Sequence, residues 1–146
     1  MSPSVHFSSE DHTWATPPEV FDPLDEEFNF TLDPCASEHN HKCDKYYTFE
    51  DNGLLKSWAN EVVFCNPPYG RVIGEWVQKC YNESLNGATC VMLIPSRTDT
   101  KWWHDYVMKG EVRFIKGRIR FVGARNSAPF PSAIVVFKGL RHPCFQ

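Results

Sequence analysis

Four consecutive residues, Asn66-Pro67-Pro68-Tyr69, combine groups able to hold and activate a planar amine. Two prolines in succession fix φ and contribute no N–H donors, so the backbone is stiff and offers only carbonyl oxygens. The Asn66 side-chain oxygen and the Pro67 carbonyl can then act as paired acceptors for an amine carrying two hydrogens. Tyr69 adds an aromatic face suited to stacking on a heterocycle. An exocyclic aromatic amine is a weak nucleophile because its lone pair is delocalised into the ring. Acceptors on its hydrogens draw the nitrogen toward tetrahedral geometry and stabilise the positive charge that grows during attack. With an activated methyl group in line behind that nitrogen, positioning supplies most of the remaining rate, and no strong general base is needed. The same residues would also serve as a rigid turn joining a strand to a helix, and the tetrapeptide alone does not separate the two readings.

The elements around it predict where these groups stand. Thr16-Pro17-Pro18-Glu19 carries the signal of a helix start, with Thr16 as N-cap, opening a short helix from 19 to about 27. Residues 29–33 alternate and predict a strand ended by Pro34, and 61–65 predict a second strand running into Asn66. Between them, 35–59 shows only short helical or coil pieces around Tyr46-Tyr47 and Leu54-Leu55. Ile73, Trp76, Val77, Cys80 and Ser84 share one face of a helix closed by Asn86-Gly87. The apolar run 89–94 predicts a buried strand, 98 to about 108 a helix closed by Gly110, and 111–115, about 119–122 and 132–138 further strands. The last two would pair as an antiparallel hairpin through the loop 123–131. Alternating strands and helices predict an α/β fold with a mostly parallel sheet covered on both faces. Asp33-Pro34 and the Asn66 motif both fall at the carboxyl ends of strands, where such sheets carry their functional loops.

The chain has 146 residues, 42% of them hydrophobic, which predicts a single domain over 1–146 with an irregular arm over 1–13 and no room for a second domain. Five Trp, five Tyr and eleven Phe exclude disorder as the main state. Apolar runs such as 133–137 are too short to cross a bilayer. The opening residues show neither a basic patch nor an apolar stretch, so a soluble cytoplasmic chain with its six Cys reduced is expected. The net charge of −3 is unevenly spread: residues 1–70 carry −10 and residues 71–146 carry +7. Arg113, Lys116, Arg118, Arg120 and Arg125 fall within 13 residues. A polyanion-facing surface would look like this, and so would a solvated strand face. Arg118 and Arg120 would share one strand face and contact phosphate. Arg97, Thr98 and Asp99 follow a buried strand and open a helix carrying Trp102, Trp103 and His104. Here Trp102 is expected to pack inward. Cys35, His39, His41 and Cys43 invite a zinc reading, but their spacing is not that of known zinc sites, and no metal is expected.

Asn66-Pro67-Pro68-Tyr69 after an apolar strand resembles the catalytic motif of S-adenosylmethionine-dependent amino-methyltransferases acting on adenine, cytosine N4 or glutamine. A narrower likeness runs along the chain. Trp14-Ala15-Thr16-Pro17, Phe30-Thr31-Leu32-Asp33-Pro34-Cys35-Ala36, Asn40-His41-Lys42-Cys43 and Tyr46-Tyr47-Thr48 are similar to segments of the phage-type (Dam-like) DNA N-6-adenine methyltransferases. So are Gly53-Leu54 followed by Trp58, the segment from Leu93 to Asp99 followed by Trp102, Gly117-Arg118-Ile119-Arg120-Phe121, and Ala128-Pro129-Phe130-Pro131-Ser132. The likeness spans roughly residues 12 to 138, with the segments in the family's order.

This resemblance implies a compact class I, Rossmann-like methyltransferase fold and a phage or prophage protein acting in a bacterial host. S-adenosylmethionine would be the cofactor, S-adenosylhomocysteine its product, and DNA the partner. Asn66, Pro67, Pro68 and Tyr69 would hold and methylate an adenine extruded from the duplex. Trp14, Thr16 and Pro17 would cover the methionine end of the cofactor. Asp33, Pro34, Cys35 and Ala36 would floor its pocket, with Asn66 beside it and Asp51 as a candidate polar partner. Arg97, Thr98, Lys116, Arg118, Arg120 and Arg125 would face DNA. The chain departs from the wider pattern in having no glycine-rich turn after the first strand. Only 32 residues lie between Pro34 and Pro67, so the fold is expected to be truncated on the cofactor side. With no insertion for a target-recognition domain, base contacts would come from the loops at 97–103 and 116–131 or from a second subunit in a homodimer. N4-cytosine or protein-glutamine methylation, or a non-enzymatic DNA-binding or decoy protein retaining the fold, are the alternatives.

Overall fold

The computed structural model describes residues 14–140; the irregular arm expected over 1–13 lies outside them. The elements, in chain order, are α1 (Pro18–Phe28), β1 (Leu32–Asp33), β2 (Lys45–Tyr46), a 3-10 turn (Gly53–Leu55), β3 (Val62–Cys65), α2 (Ile73–Leu85), β4 (Thr89–Pro95), α3 (Lys101–Asp105), a second 3-10 turn (Val107–Lys109), β5 (Glu111–Phe114) and β6 (Ser132–Phe137). They build one six-stranded sheet of order β2-β1-β3-β4-β6-β5. The pairs β1–β2, β1–β3 and β3–β4 are parallel, while β6 runs antiparallel to both β4 and β5. Five strands therefore point the same way and β6 alone is reversed, as a mostly parallel sheet requires.

Alternation along the central strands divides the core into two. Val63 and Cys65 of β3, Cys90, Met92 and Ile94 of β4, and Ala133, Val135 and Phe137 of β6 face α2 and α3, meeting Ile73, Trp76, Val77, Cys80 and Trp103. Phe64, Val91, Leu93, Ile134 and Val136 face the other way, under Phe21 and Leu24 of α1 and Ile119, Phe121 and Ala128 of the loop 115–131. Both faces are covered, one of them partly by a loop. This is a compact α/β fold, compatible with the methyltransferase architecture that the resemblance implies, and its parallel half is abbreviated. Between Pro34 and the start of β3 at Val62 stand only the two-residue β2 and one 3-10 turn, where two full strand–helix units would otherwise extend the sheet.

Several sequence expectations are corrected. Residues 119–122 form no strand: Ile119 and Phe121 are buried and Arg118 and Arg120 exposed, as alternation predicted. Their backbone, however, bonds within the loop and to the N-terminal segment, through Ala128 N to Ile119 O, Ala124 N to Phe121 O and Val122 N to Ala15 O. The antiparallel hairpin is β5–β6 and encloses the whole loop 115–131. The piece around Tyr46 is a strand edge, not helix or coil. The helix after β4 starts at Lys101 with Thr100 as its cap, whose hydroxyl accepts from Trp103 N at 3.3 Å, and Trp103 rather than Trp102 is the fully buried indole. Thr16 does not cap α1. Pro17 holds the N-cap position without a side-chain bond, and the Thr16 hydroxyl is engaged elsewhere.

Candidate active site

Because β1, β2, β3 and β4 are parallel, Asp33, Tyr46, Cys65 and Pro95 end them along one edge of the sheet. The reversed β6 begins at that edge, with Pro95 opposite Ser132, so the loop 115–131 also emerges there. Three segments expected to act together are thereby brought to one place: 33–36, 66–69 and 14–17.

Asp33 is 5% exposed. Its two carboxylate oxygens are both used inside the protein, Oδ1 accepting from Cys35 N at 3.2 Å and Oδ2 from Lys42 N at 2.9 Å. Burial pushes its pKa up to about 6, against the pull of those two N–H groups. Asp33 therefore shapes the loop after β1. Tyr47 N donates to Asp33 O and Ala36 N to Tyr47 O, which fastens that loop to the chain leaving β2. Pro34 is buried, and Cys35 and Ala36 are half-buried. Pro34 O lies where a Cβ on Gly53 would sit at 2.6 Å, so only glycine lets the 3-10 turn approach this closely. Cys35 Sγ is 3.7 Å from Cys65 Sγ, and burial holds the Cys35 thiol neutral by raising its pKa.

Asn66 behaves differently. Its amide Nδ2 donates to the Trp14 carbonyl and to Thr16 Oγ1 at 3.0 Å, while its Oδ1 is buried and has no partner. A buried, unpaired carbonyl oxygen is costly in a folded protein and points to a donor that arrives later. Pro67 is buried and Pro68 half-buried. Tyr69 is 7% exposed, and its hydroxyl donates to Leu93 O at 3.1 Å. Burial raises its pKa far above the phenol range, so the ring is a neutral donor. Its faces meet Trp14, near-parallel at 6.4 Å between ring centres, and the edge of Phe130 at 5.6 Å. Trp14 also packs against Phe121 at 5.3 Å. The aromatic platform expected of Tyr69 is thus already occupied by the indole of Trp14.

The segment 14–17 is a strap across the strand ends. Val122 N donates to Ala15 O, Asn66 holds Trp14 and Thr16, and Lys42 Nζ donates to Thr16 O at 3.1 Å. Lys42 joins the two halves of the site, its backbone N–H on Asp33 and its ammonium on the strap, with Phe21 under it at 5.2 Å. The sequence reading gave Lys42 no role. The available signal was its rarity, as one of three cations among the first 70 residues. Asp51 is exposed and accepts from Thr48 N at 2.9 Å and Thr48 Oγ1 at 3.1 Å, which lowers its pKa; it closes a turn of its own.

Arg97 and Thr98 are exposed immediately after β4, and Thr98 O bonds His104 Nε2 at 2.8 Å. Lys116, Arg118, Arg120 and Arg125 are exposed on the loop 115–131, where Arg118 donates to Ala128 O at 3.4 Å and Arg120 to Ala124 O at 3.1 Å. Arg113 does not belong with them. Its guanidinium pairs with both oxygens of Glu27 at 2.8 Å and with Glu111 at 2.6 Å, and these bonds raise its pKa. His41 stacks on Tyr46 at 3.9 Å and bonds Cys43 O at 2.8 Å. Among the described residues no three His, Cys, Asp or Glu side chains converge to hold a metal. The five described cysteines are free, and no helix among the described residues is long and apolar enough to cross a membrane.

A methyltransferase-like sheet whose parallel strand ends carry an Asn-Pro-Pro-Tyr turn with a spare carbonyl oxygen is built to present an acceptor to an incoming donor. Residues 4–145 match the family described as DNA N-6-adenine-methyltransferase (Dam), and the chain belongs to that family. It is 33% identical over 126 residues to the DNA N-6-adenine-methyltransferase of Haemophilus phage HP1, covering 84% of this chain and 73% of the relative. It is 36% identical over 94 residues to the DNA N-6-adenine-methyltransferase of Escherichia phage T1, covering 63% of this chain and 39% of the relative.

Proposed function

We propose that this chain transfers a methyl group from S-adenosylmethionine to the N6 amine of adenine in DNA. The observation that carries the reading is the buried, unpartnered Oδ1 of Asn66 at the end of a parallel strand. Family membership supports the choice of adenine in DNA among planar amines.

The residues fit a cofactor at the strand ends: the strap over 14–17 lies across them opposite the loop that follows β1, and it is held by hydrogen bonds that can open and re-form. Pro34, Cys35 and Ala36 beneath and Trp14, Thr16 and Pro17 above would hold S-adenosylmethionine, with Asn66 between them. Asp33 would act through the loop it fastens, since neither of its oxygens is spare. When bound, the cofactor supplies an electrophilic methyl carbon on a sulfonium. Asn66 Oδ1 and the Pro67 carbonyl would take the two hydrogens of the N6 amine and concentrate its lone pair on nitrogen. On transfer the C–S electron pair would stay on sulfur, and Asn66 Oδ1 and the Pro67 carbonyl would hold the hydrogens of the N6 amine until one of them leaves as a proton. Adenine would be extruded from the duplex to reach Asn66, and stacking on Tyr69 would require the Trp14 ring to yield its place. Arg97, Thr98, Lys116, Arg118, Arg120 and Arg125 surround this edge and would contact phosphates.

The test is methyl transfer from labelled S-adenosylmethionine to unmethylated duplex DNA, followed by nucleoside digestion and mass spectrometry. N6-methyldeoxyadenosine is expected. N4-methyldeoxycytidine would correct the target base, and the absence of any methylated base together with no S-adenosylmethionine binding by calorimetry would overturn the reading.

A further inference from the structure

An asparagine side chain is nearly symmetric in shape and opposite in chemistry at its two ends. If the Asn66 amide turned over, an NH2 group would face the substrate amine, donor against donor, and the site would repel what it must hold. Something has to set the orientation, and packing alone does not distinguish O from NH2.

The geometry points to the strap as the device that orients Asn66, the Trp14 carbonyl, which can only accept, choosing which end faces it and Thr16 Oγ1 holding the second amide hydrogen so that the side chain stays in place; this rests on the reading that Asn66 Oδ1 receives the substrate amine. Nδ2 has two hydrogens, and two acceptors of the strap face it: the Trp14 carbonyl and Thr16 Oγ1 at 3.0 Å. A carbonyl has no proton to give, so turning Asn66 over would set its Oδ1 against the Trp14 carbonyl oxygen and leave both uncompensated in a buried place. Thr16 is 2% exposed, so no solvent replaces its hydroxyl. The strap is itself pinned from two sides, by Lys42 Nζ on Thr16 O at 3.1 Å and Val122 N on Ala15 O at 3.0 Å. Oδ1 is the end left over. Thr16 is therefore a positioning residue for Asn66, which explains why a threonine placed like a helix cap caps nothing. The same geometry makes the site selective for Asn over Asp at 66: a carboxylate would put a full negative charge against the Trp14 carbonyl.

The test begins with the ligand-free protein, so that it does not depend on turnover. The side-chain amide of Asn66, identified as the 1H–15N pair missing from the N66D spectrum, should exchange its hydrogens with water at least ~10-fold more slowly than an exposed asparagine does. Thr16→Val keeps the shape and removes the acceptor; it should accelerate that exchange, and Thr16→Ser should restore protection. With duplex DNA, Thr16→Val should lower kcat by about 10- to 100-fold, the range for groups that orient a working side chain. KM for DNA should stay within about twofold of the unsubstituted protein, the loss of kcat should persist at saturating S-adenosylmethionine whatever the substitution does to cofactor affinity, and Thr16→Ser should recover most of kcat. Asn66 hydrogens that exchange like those of an exposed asparagine would overturn the inference, even if Thr16→Val failed to fold. So would a Thr16→Val protein with unchanged kcat, or one whose loss lay wholly in cofactor affinity. A chain that protects Asn66 as expected yet methylates no DNA would instead defeat the functional reading and leave the orientation standing.

Discussion

β1 and β3 lie side by side, and a polar side chain with a buried oxygen stands at the end of each, but the two are in opposite states. Each carboxylate oxygen of Asp33 accepts a backbone N–H, one from Cys35 and the other from Lys42. Asn66 has both amide hydrogens engaged and its oxygen unpaired. A saturated group can only hold the protein together, whereas a half-saturated one retains something for a ligand. The parallel edge therefore separates two duties. On the proposed reading the end of β1 would build the floor, and the end of β3 would perform the chemistry. Lys42 is the bridge that keeps them in register.

Substituting Asn66 should break the comparison most severely. Asn66→Ala removes the spare acceptor, and methyl transfer should fall by roughly 10²- to 10³-fold or more, the range seen when one preorganised polar group is taken from a reacting centre. Stability should also fall, by about 1 to 3 kcal/mol, because the Trp14 carbonyl and the buried Thr16 hydroxyl lose their donor while the unpaired Asn66 oxygen is removed. Single-turnover kinetics beside a urea titration would show both. A large loss of stability with intact turnover per folded molecule would reverse the roles assigned to the two strand ends.

Asp33→Ala should give the mirror image. Two backbone N–H groups would be left without acceptors in a buried loop, which costs on the order of 2 to 4 kcal/mol, and activity should fall only as the folded fraction falls. Asp33→Asn, which keeps one acceptor, should lie between. The comparison sharpens further with pH. Burial raises the folded-state pKa of Asp33 to about 6, from an ordinary value of 3.8. Between those values the native state holds more protons than the unfolded one, so the contribution of Asp33 to stability is greatest below about pH 4 and declines as pH rises toward and through 6. The decline is on the order of 1 to 3 kcal/mol. Denaturant midpoints at pH 5 and pH 7 should show it, and Asp33→Asn should flatten it.

How much of this could be read from the chain depends on where each element gets its hydrogen bonds. β4 and α2 were legible because each is long and its apolar spacing repeats, so burial alone specifies it. β1 and β2, with two residues each, are defined by main-chain pairing to neighbours and by the loop that Asp33 fastens; the alternation at 29–33 announced β1 but overstated its length, and β2 leaves no periodic trace. Thr16 was misread because a threonine before Pro-Pro-Glu carries the same local signal whether its hydroxyl caps a helix or reaches a residue 50 positions away. The alternation at 119–122 correctly separated buried Ile119 and Phe121 from exposed Arg118 and Arg120. It failed on strand pairing because alternation reports sidedness, not which backbone groups are bonded. The Asn-Pro-Pro-Tyr turn was visible as chemistry, but Trp14 against Tyr69 was not, because nothing local links positions 14 and 69.

The cations of the second half provide a smaller and finer comparison. Arg113 sits in the same stretch of sequence as Arg118 and Arg120, yet it is held by Glu27 and Glu111 on the flank of α1, whereas the other two rest on loop carbonyls with no carboxylate partner among the described residues. A guanidinium already matched to carboxylates releases few counterions on meeting a phosphate, because its charge is already compensated. Replacing Arg118 and Arg120 together by Gln should therefore lower DNA affinity uniformly across sequences and reduce the slope of log K against log salt by about 1 to 2, near 0.9 for each phosphate no longer neutralised. Arg113→Gln should leave that slope unchanged and cost about 0 to 1 kcal/mol of stability, as exposed ion pairs do. Affinity measured at several salt concentrations for both variants tests the assignment. Equal slopes for all three proteins would move the DNA-facing surface away from the loop 115–131, while a change confined to Arg113→Gln would place it on the α1 side of the sheet.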